Sequence, residues 1–190
     1  VTVASRSHLI LGGARSGKSR FALDQARAER VRTAFLATAQ AREAGMASRI
    51  ARHRAERPAD WTTVEEPVDP VAACRRLAGR HDLIVLDCLT LWVSNLLARG
   101  DGDESILSAA DGLAKFIGER VVSLILVTNE VGAGVHPPTE IGLRFRDLLG
   151  RVNQRAAAAA DRVTLMVAGL PVAIKDLPPP ASHERAPEAP

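Results

Sequence analysis

The chain has no tyrosine, and aromatic residues make up only 3% of its 190 positions. That scarcity removes the interleaved rings and basic side chains on which nucleic-acid bases stack. Lysine is scarce too: Lys18, Lys115 and Lys175 are the only three. The arginines are scattered rather than gathered into the basic stripe of a nucleic-acid binder. The formal charge of +3 suits phosphate-bearing ligands and makes nucleic acid an unexpected partner. Two cysteines, Cys74 and Cys88, are too few for a disulfide framework or a zinc site. They read as small buried apolar residues in a reducing compartment. No apolar run approaches the roughly 18 residues of a membrane span. The opening VTVASRSHLILGG lacks the apolar core and cleavage site of a signal peptide. A cytoplasmic enzyme or binding domain is the expectation.

What the sequence does contain is a globular balance, 46% hydrophobic and 25% charged. Short apolar runs at 8–11, 33–38, 82–87, 121–128, 163–168 and 172–175 are β-branched and continuous, as strands buried on both faces should be. Between them, helices are expected near 18–30, 42–57, 70–80, 89–99, 104–118 and 140–160. The third has Asp69 as N-cap with Pro70 at its first position. The alternation predicts an α/β fold, a mostly parallel sheet with helices on both faces. In such sheets ligands bind at the carboxyl ends of the strands, so functional residues should follow each apolar run. One domain over 1–175 is expected, followed by a Pro-rich tail, 176–190, read as disordered.

Gly12-Gly13-Ala14-Arg15-Ser16-Gly17-Lys18-Ser19 satisfies G-x-x-x-x-G-K-[ST]. It follows an apolar run and opens a helical stretch, the context a phosphate-binding loop requires. Glycines let the loop curl so that backbone N–H groups face phosphate oxygens, and the helix N-terminus adds its positive end. Lys18 is expected to reach the β- and γ-phosphates, and Ser19 to ligate Mg²⁺. A second metal-holding group should end a neighbouring strand, and Asp87 stands there; helix capping is its alternative role.

Arg49, His53 and Arg57 recur every four residues and so share one helix face. Two arginines within a turn disfavour protonated imidazole. That suits a neutral nucleophile beside phosphates, although an ordinary solvated face has the same spacing. Thr128-Asn129-Glu130 follows an apolar run and belongs at the ligand edge. Thr128 or Asn129 would contact substrate and Glu130 would serve as base, with capping or turn roles equally open. Arg144, Arg146, Arg151 and Arg155 read as a solvated or subunit-facing surface. Trp61 and Trp92 read as core or interface anchors.

Several blocks together resemble a known family. They are GGARSGKS at 12–19, FLATAQ at 35–40, MASRIARHRAERPADW at 46–61, LDCLTLWVSNLL at 86–97 and VTNEVGAGVHP at 127–137. FRDLLGRVNQRAAAAADRV and VAGLPVAIK close the series. They are similar to the bifunctional adenosylcobinamide kinase / adenosylcobinamide-phosphate guanylyltransferase of cobalamin biosynthesis, in order from about residue 8 to 175. The R-I-x-x-H-x-x-x-R-P-x-x-W block is far more specific than the phosphate loop. The resemblance implies a P-loop, RecA-like parallel sheet assembled as a homotrimer. It implies two reactions, phosphorylation of adenosylcobinamide by ATP or GTP, then transfer of GMP from GTP through a GMP–histidine intermediate to adenosylcobinamide phosphate. The family histidine falls on His53. Ala37, Thr38, Ala39, Arg54, Ala55, Glu56, Arg57, Glu65 and Asp87 would then line the GTP site, with Glu65 suited to accept from guanine N1–H and its 2-amino group.

One position departs from the pattern. An acidic residue usually precedes the methionine of the histidine block, and Gly45 stands there; a loss in one activity is the expected consequence if that carboxylate assists binding. Two rivals share the phosphate loop, a single-activity small-molecule kinase in which His53 is structural and a nucleotide-binding module with negligible turnover.

Overall fold

A computed structural model of the chain describes residues 6–40 and 57–176. Seven strands form one sheet: β1 Ser7–Gly12, β2 Thr33–Ala37, β3 Thr62–Glu65, β4 Leu83–Asp87, β5 Ser123–Asn129, β6 Arg162–Val167 and β7 Leu170–Asp176. The helices are α1 Lys18–Glu29, α2 Pro70–Ala78, α3 Leu89–Arg99, α4 Asp103–Glu119 and α5 Glu140–Ala159. The sheet order is β3-β2-β4-β5-β1-β6-β7, parallel throughout except for the β6–β7 hairpin. The expected α/β fold is therefore present.

Strand alternation divides the core in two. Leu9, Leu36, Ile84, Leu86, Leu124 and Leu126 face α2, α3, α4 and α5. Ile10, Phe35, Val85, Ile125 and Val127 face α1, which contributes Ala22, Leu23 and Ala26. Because β1, β2, β4 and β5 are covered on both sides, their sequences run apolar without a break. Trp92 is fully buried and its Nε1 donates to the Val68 carbonyl (2.8 Å). It is a core anchor, as expected, and truncating such a residue to alanine typically costs about 3–5 kcal/mol. Cys74 and Cys88 are buried and free, and burial pushes both thiols up to about 12.

Local signals act as the residues predict. Asp69 Oδ1 accepts from Ala72 N (3.0 Å) with Pro70 beginning α2. Thr139 caps α5 by accepting from Gly142 N. Arg144 and Arg155 of α5 pair with Asp103 and Asp111 of α4 across an exposed surface, where such pairs contribute about 0–1 kcal/mol.

Four elements differ from expectation. β3 was not anticipated, because Thr62–Glu65 is a short, half-exposed edge strand without an apolar run. Residues 121–122 precede β5, since Arg120 ends α4 in the left-handed conformation. Ala168 leaves β6: with Gly169 it has positive φ (51° and 84°), and this two-residue connection turns the chain into β7. β7 is antiparallel and exposed, and it runs to Asp176, one residue past the expected domain limit. The helix expected at 42–57, nearly all of it, and the tail from 177 lie outside the described residues. No described helix is long and apolar enough to cross a membrane.

His8, inside β1, is buried, bonds Thr164 Oγ1 through Nε2 (2.8 Å) and packs edge-on to Phe21. Burial, reinforced by the Arg162 charge, lowers its pKa to about 4. The unfolded chain takes up this proton near pH 6.5 and the folded one only near pH 4. Stability is therefore lost as pH falls through that interval, by roughly 3 kcal/mol in all. His8→Gln, which keeps a partner for Thr164 and removes the titration, should lose less thermal midpoint between pH 7 and pH 4.5 than the wild type. Parallel melting curves for the two proteins would assign the acid sensitivity elsewhere.

Candidate nucleotide site

Gly12 ends β1, and Gly13, Ala14, Arg15, Ser16 and Gly17 carry the chain around to Lys18, the first residue of α1. Gly12 has φ +156°, and a Cβ placed on it would stand 2.5 Å from the Met166 carbonyl and 2.7 Å from Ser16 Oγ. Gly17 has φ +93° and caps α1 with no side chain. Behind the loop sits the β6–β7 turn, whose Gly169 N–H donates to the Ser16 carbonyl (3.1 Å). The loop is thus closed against two strands, and Gly13, Ala14 and Arg15 form its exposed rim.

Lys18 is buried and its Nζ donates to the Gly13 carbonyl (2.6 Å). Burial lowers its pKa, opposed by Cys88 and Asp87. With the Cys88 thiol up at about 12, the charge that supports the Lys18 ammonium at neutral pH is that of Asp87. Asp87 is the last residue of β4, on the α1 side of the sheet, as the alternation from Leu83 and Val85 requires. Ala37 is its register partner on β2, and Glu65 of β3 is the next one out. Glu65, Ala37 and Asp87 therefore line one edge and one face, the face that carries α1.

Other residues expected here act in support. Thr38 is fully buried; its hydroxyl accepts from Cys88 N (2.9 Å) and donates to Cys88 O (2.7 Å), fastening the end of β2 to the end of β4. Ala39 follows it, half-buried. Thr128 is fully buried and donates to Asn153 Oδ1 (2.8 Å), a strand-to-helix bond rather than the cap or turn that was its alternative to substrate contact. Glu130 Oε1 accepts from Gly132 N (2.7 Å), a turn-forming contact. Arg57 lies over the Phe35 ring, 3.6 Å from its centroid. His53, Arg54, Ala55 and Glu56, with Gly45 and Arg49, lie outside the described residues.

Three supporting residues were not anticipated. Thr90 and Asn95 on α3 and Asn153 on α5 hold strand ends from beneath. Their signal in the sequence was a polar residue on an otherwise apolar helical face, Asn153 among Leu149, Val152 and Ala156.

Ser19 Oγ and the Asp87 carboxylate offer two hard oxygen donors beside the loop. Such a set fits Mg²⁺ held through a few protein oxygens, substrate phosphates and water. No group of three or more His, Cys, Asp or Glu among the described residues makes an all-protein metal cage. A surface cavity of about 680 Å³ lies at the opposite edge, lined by Arg30, Thr33, Trp61, Thr62 and His81 among others. Its place at the starts of β2 and β3 separates it from the phosphate loop.

A parallel sheet whose first strand turns through such a loop into a helix, with an acidic strand end two strands away, defines a P-loop nucleotide-binding protein. The chain belongs to the family described as cobinamide kinase / cobinamide phosphate guanyltransferase, whose model matches residues 8–174. It is 44% identical over 170 residues to the bifunctional adenosylcobalamin biosynthesis protein CobP of Pseudomonas aeruginosa, covering 90% of this chain and 98% of that protein. Proteins named bifunctional adenosylcobalamin biosynthesis protein CobU, from Salmonella typhimurium and Escherichia coli, are 39% and 36% identical over 182 and 179 residues. Both comparisons cover 88% of this chain and 98% of the relative. The resemblance of the sequence blocks is thus a family relationship.

Gly12→Ala should damage the loop in two ways, through its backbone conformation and through the Met166 contact. Strain of this kind costs about 1–3 kcal/mol. A lowered thermal midpoint and at least a tenfold loss of nucleoside triphosphate affinity by calorimetry are expected; unchanged affinity would contradict the packing described here.

Proposed function

We propose that this chain is the bifunctional enzyme of its family, a cytoplasmic homotrimer that phosphorylates adenosylcobinamide and then converts the product to adenosylcobinamide-GDP. The observation that carries the reading is the closed phosphate loop, with Lys18 buried beside Asp87, in a chain matched to the family over residues 8–174.

In the first reaction the hydroxyl of the cobinamide side arm attacks the γ-phosphorus of ATP or GTP. The bond to the β–γ bridging oxygen breaks and the nucleoside diphosphate leaves. Loop N–H groups and Lys18 hold the phosphates in line, and such transfer depends mainly on positioning and charge neutralisation. Glu130, at the end of β5, is the proposed acceptor of the hydroxyl proton. Bound through Ser19, Asp87 and phosphate oxygens, Mg²⁺ would supply further neutralisation of charge.

In the second reaction neutral His53 attacks the α-phosphorus of GTP, releasing pyrophosphate and forming a nitrogen–phosphorus bond to GMP. A phosphate oxygen of cobinamide phosphate then displaces the histidine and takes the GMP. Imidazole suits this task because its neutral form is nucleophilic near pH 7, and a covalent intermediate divides one hard transfer into two. Ala37, Thr38, Ala39, Arg54, Ala55, Glu56, Arg57 and Glu65 are proposed to surround the GTP, with Glu65 accepting from the guanine edge. Gly45 is proposed to weaken one of the two activities.

Incubation with GTP labelled at the α-phosphate should leave acid-labile, alkali-stable label on the protein, and none on His53→Ala. Full labelling of His53→Ala, or none of active wild type, would overturn the covalent step. A single-activity kinase predicts phosphorylation without label, and a binding module predicts neither.

Lys18→Ala should lower both activities by about 10²–10³-fold, the usual cost of removing a group that stabilises developing charge. His53→Ala should spare the kinase more than the transferase in separate turnover assays. Equal losses in a folded His53→Ala protein would count against its assigned role.

A further inference from the structure

The site described so far uses the strands on either side of β5 and leaves the end of β5 without a task in nucleotide recognition. β5 lies between β1, which runs into the phosphate loop, and β4, which ends at Asp87. Gly12 is opposite Asn129, and Asp87 is opposite Val127. Asn129 therefore reaches two residues beyond the last residue of β4 and stands level with the first glycine of the loop. Ile125 and Val127 face α1, so alternation puts Asn129 on that same face, with Asp87 and the start of α1. Thr128 faces the other way, into the bonds with Asn153 already described.

The backbone of Asn129 is held with unusual completeness. Glu130 N donates to the Gly12 carbonyl (3.0 Å), continuing the ladder to β1. On the β4 side the ladder has run out, because β4 ends at Asp87. Two helix side chains replace it: Asn129 N donates to Thr90 Oγ1 (2.7 Å), and Asn129 O accepts from Asn153 Nδ2 (3.0 Å). Thr90 and Asn153 are themselves buried, and Thr128 joins them, bonding Asn153 Oδ1 at 2.8 Å and Thr90 Oγ1 at 3.5 Å. The half-buried carboxamide of Asn129 makes no hydrogen bond to any described residue. A side chain with two N–H donors and one acceptor thus springs from a fixed backbone beside the phosphate loop while its own bonding capacity stays open.

We propose that the Asn129 carboxamide contacts the terminal phosphate of a bound nucleoside triphosphate, donating to a γ-oxygen, and that Thr90 and Asn153 are positioning residues that hold it there. This rests on the nucleotide-site reading above and adds to it the group that distinguishes a triphosphate from a diphosphate. A neutral donor on a firmly held backbone suits that place, because it binds the γ-oxygen without adding charge between Lys18 and Asp87.

The test is equilibrium binding, by calorimetry with Mg²⁺ present, of GDP and of the non-hydrolysable β,γ-imido analogue of GTP. Asn129→Ala should weaken the triphosphate analogue by about 10- to 100-fold, the range of one hydrogen bond to a charged group, and leave GDP within about twofold. Thr90→Val is nearly isosteric and removes the acceptor for Asn129 N; it should lower the same ratio several-fold, and Thr90→Ser should restore it. Loss of affinity for both nucleotides alike in Asn129→Ala, or for neither, would overturn the proposal. A wild-type ratio in folded Thr90→Val would overturn the positioning role. A merely structural defect would weaken both ligands together and would not respond to the serine. Because the ratio is read without turnover, failure of the wild type to phosphorylate cobinamide would defeat the proposed function and leave this result standing.

Discussion

The register between β1 and β5 governs what meets the phosphate loop. With Leu11 opposite Thr128 and Gly12 opposite Asn129, one polar side chain faces the packed helices and the next faces α1. A slip of one residue would exchange them, since side chains alternate strictly along a strand. Burial prevents the slip: Leu124, Ile125, Leu126 and Val127 of β5 would each change layers, and all are almost completely enclosed. The hydrophobic pattern of two strands thus sets the chemistry at their ends.

The two faces of the sheet carry different burdens. Four helices, α2 to α5, close over one side and bring the large apolar residues, including Trp92 and Phe116. Among the described residues α1 covers the other, joined by Trp61 and by Leu91 of α3, and the carboxylates of Glu65 and Asp87 belong to that side. Between them runs a buried polar layer, Thr38 with Cys88, Asn95 with Thr38 and Pro67, Thr90 and Asn153 with Asn129. Each of these contacts satisfies backbone groups that the sheet no longer pairs. An unsatisfied buried group costs about 1–3 kcal/mol, so the layer keeps the strand ends rigid and polar together.

Much of this is legible in the amino-acid sequence. The continuous apolar strands, the phosphate loop, the Asp69 cap and Asp87 at a strand end all follow from local residue patterns. β3 is not, because Thr62–Glu65 is an exposed edge with no apolar run, although Glu65 itself was singled out through the family pattern. Strand order was equally hidden: β1 sits between β5 and β6 because of long-range pairing that no local period encodes. The roles of Thr90 and Asn153 are hidden for the same reason. Their partners are 39 and 24 residues away, so only the folded chain shows that they serve Asn129.

The beginning of α1 differs from those of α2 and α5. Asp69 and Thr139 each give a side-chain oxygen to their helices, whereas Gly17 gives none. A glycine in place of a side-chain cap forfeits only about a few tenths of a kcal/mol. The phosphate of the proposed nucleotide would complete the N–H groups so exposed, and part of its affinity and part of the integrity of the helix would then be a single quantity. A capping side chain at position 17 would have to hold the left-handed backbone of Gly17 (φ +93°) and, tethered in place, would act as a permanent competitor of the substrate.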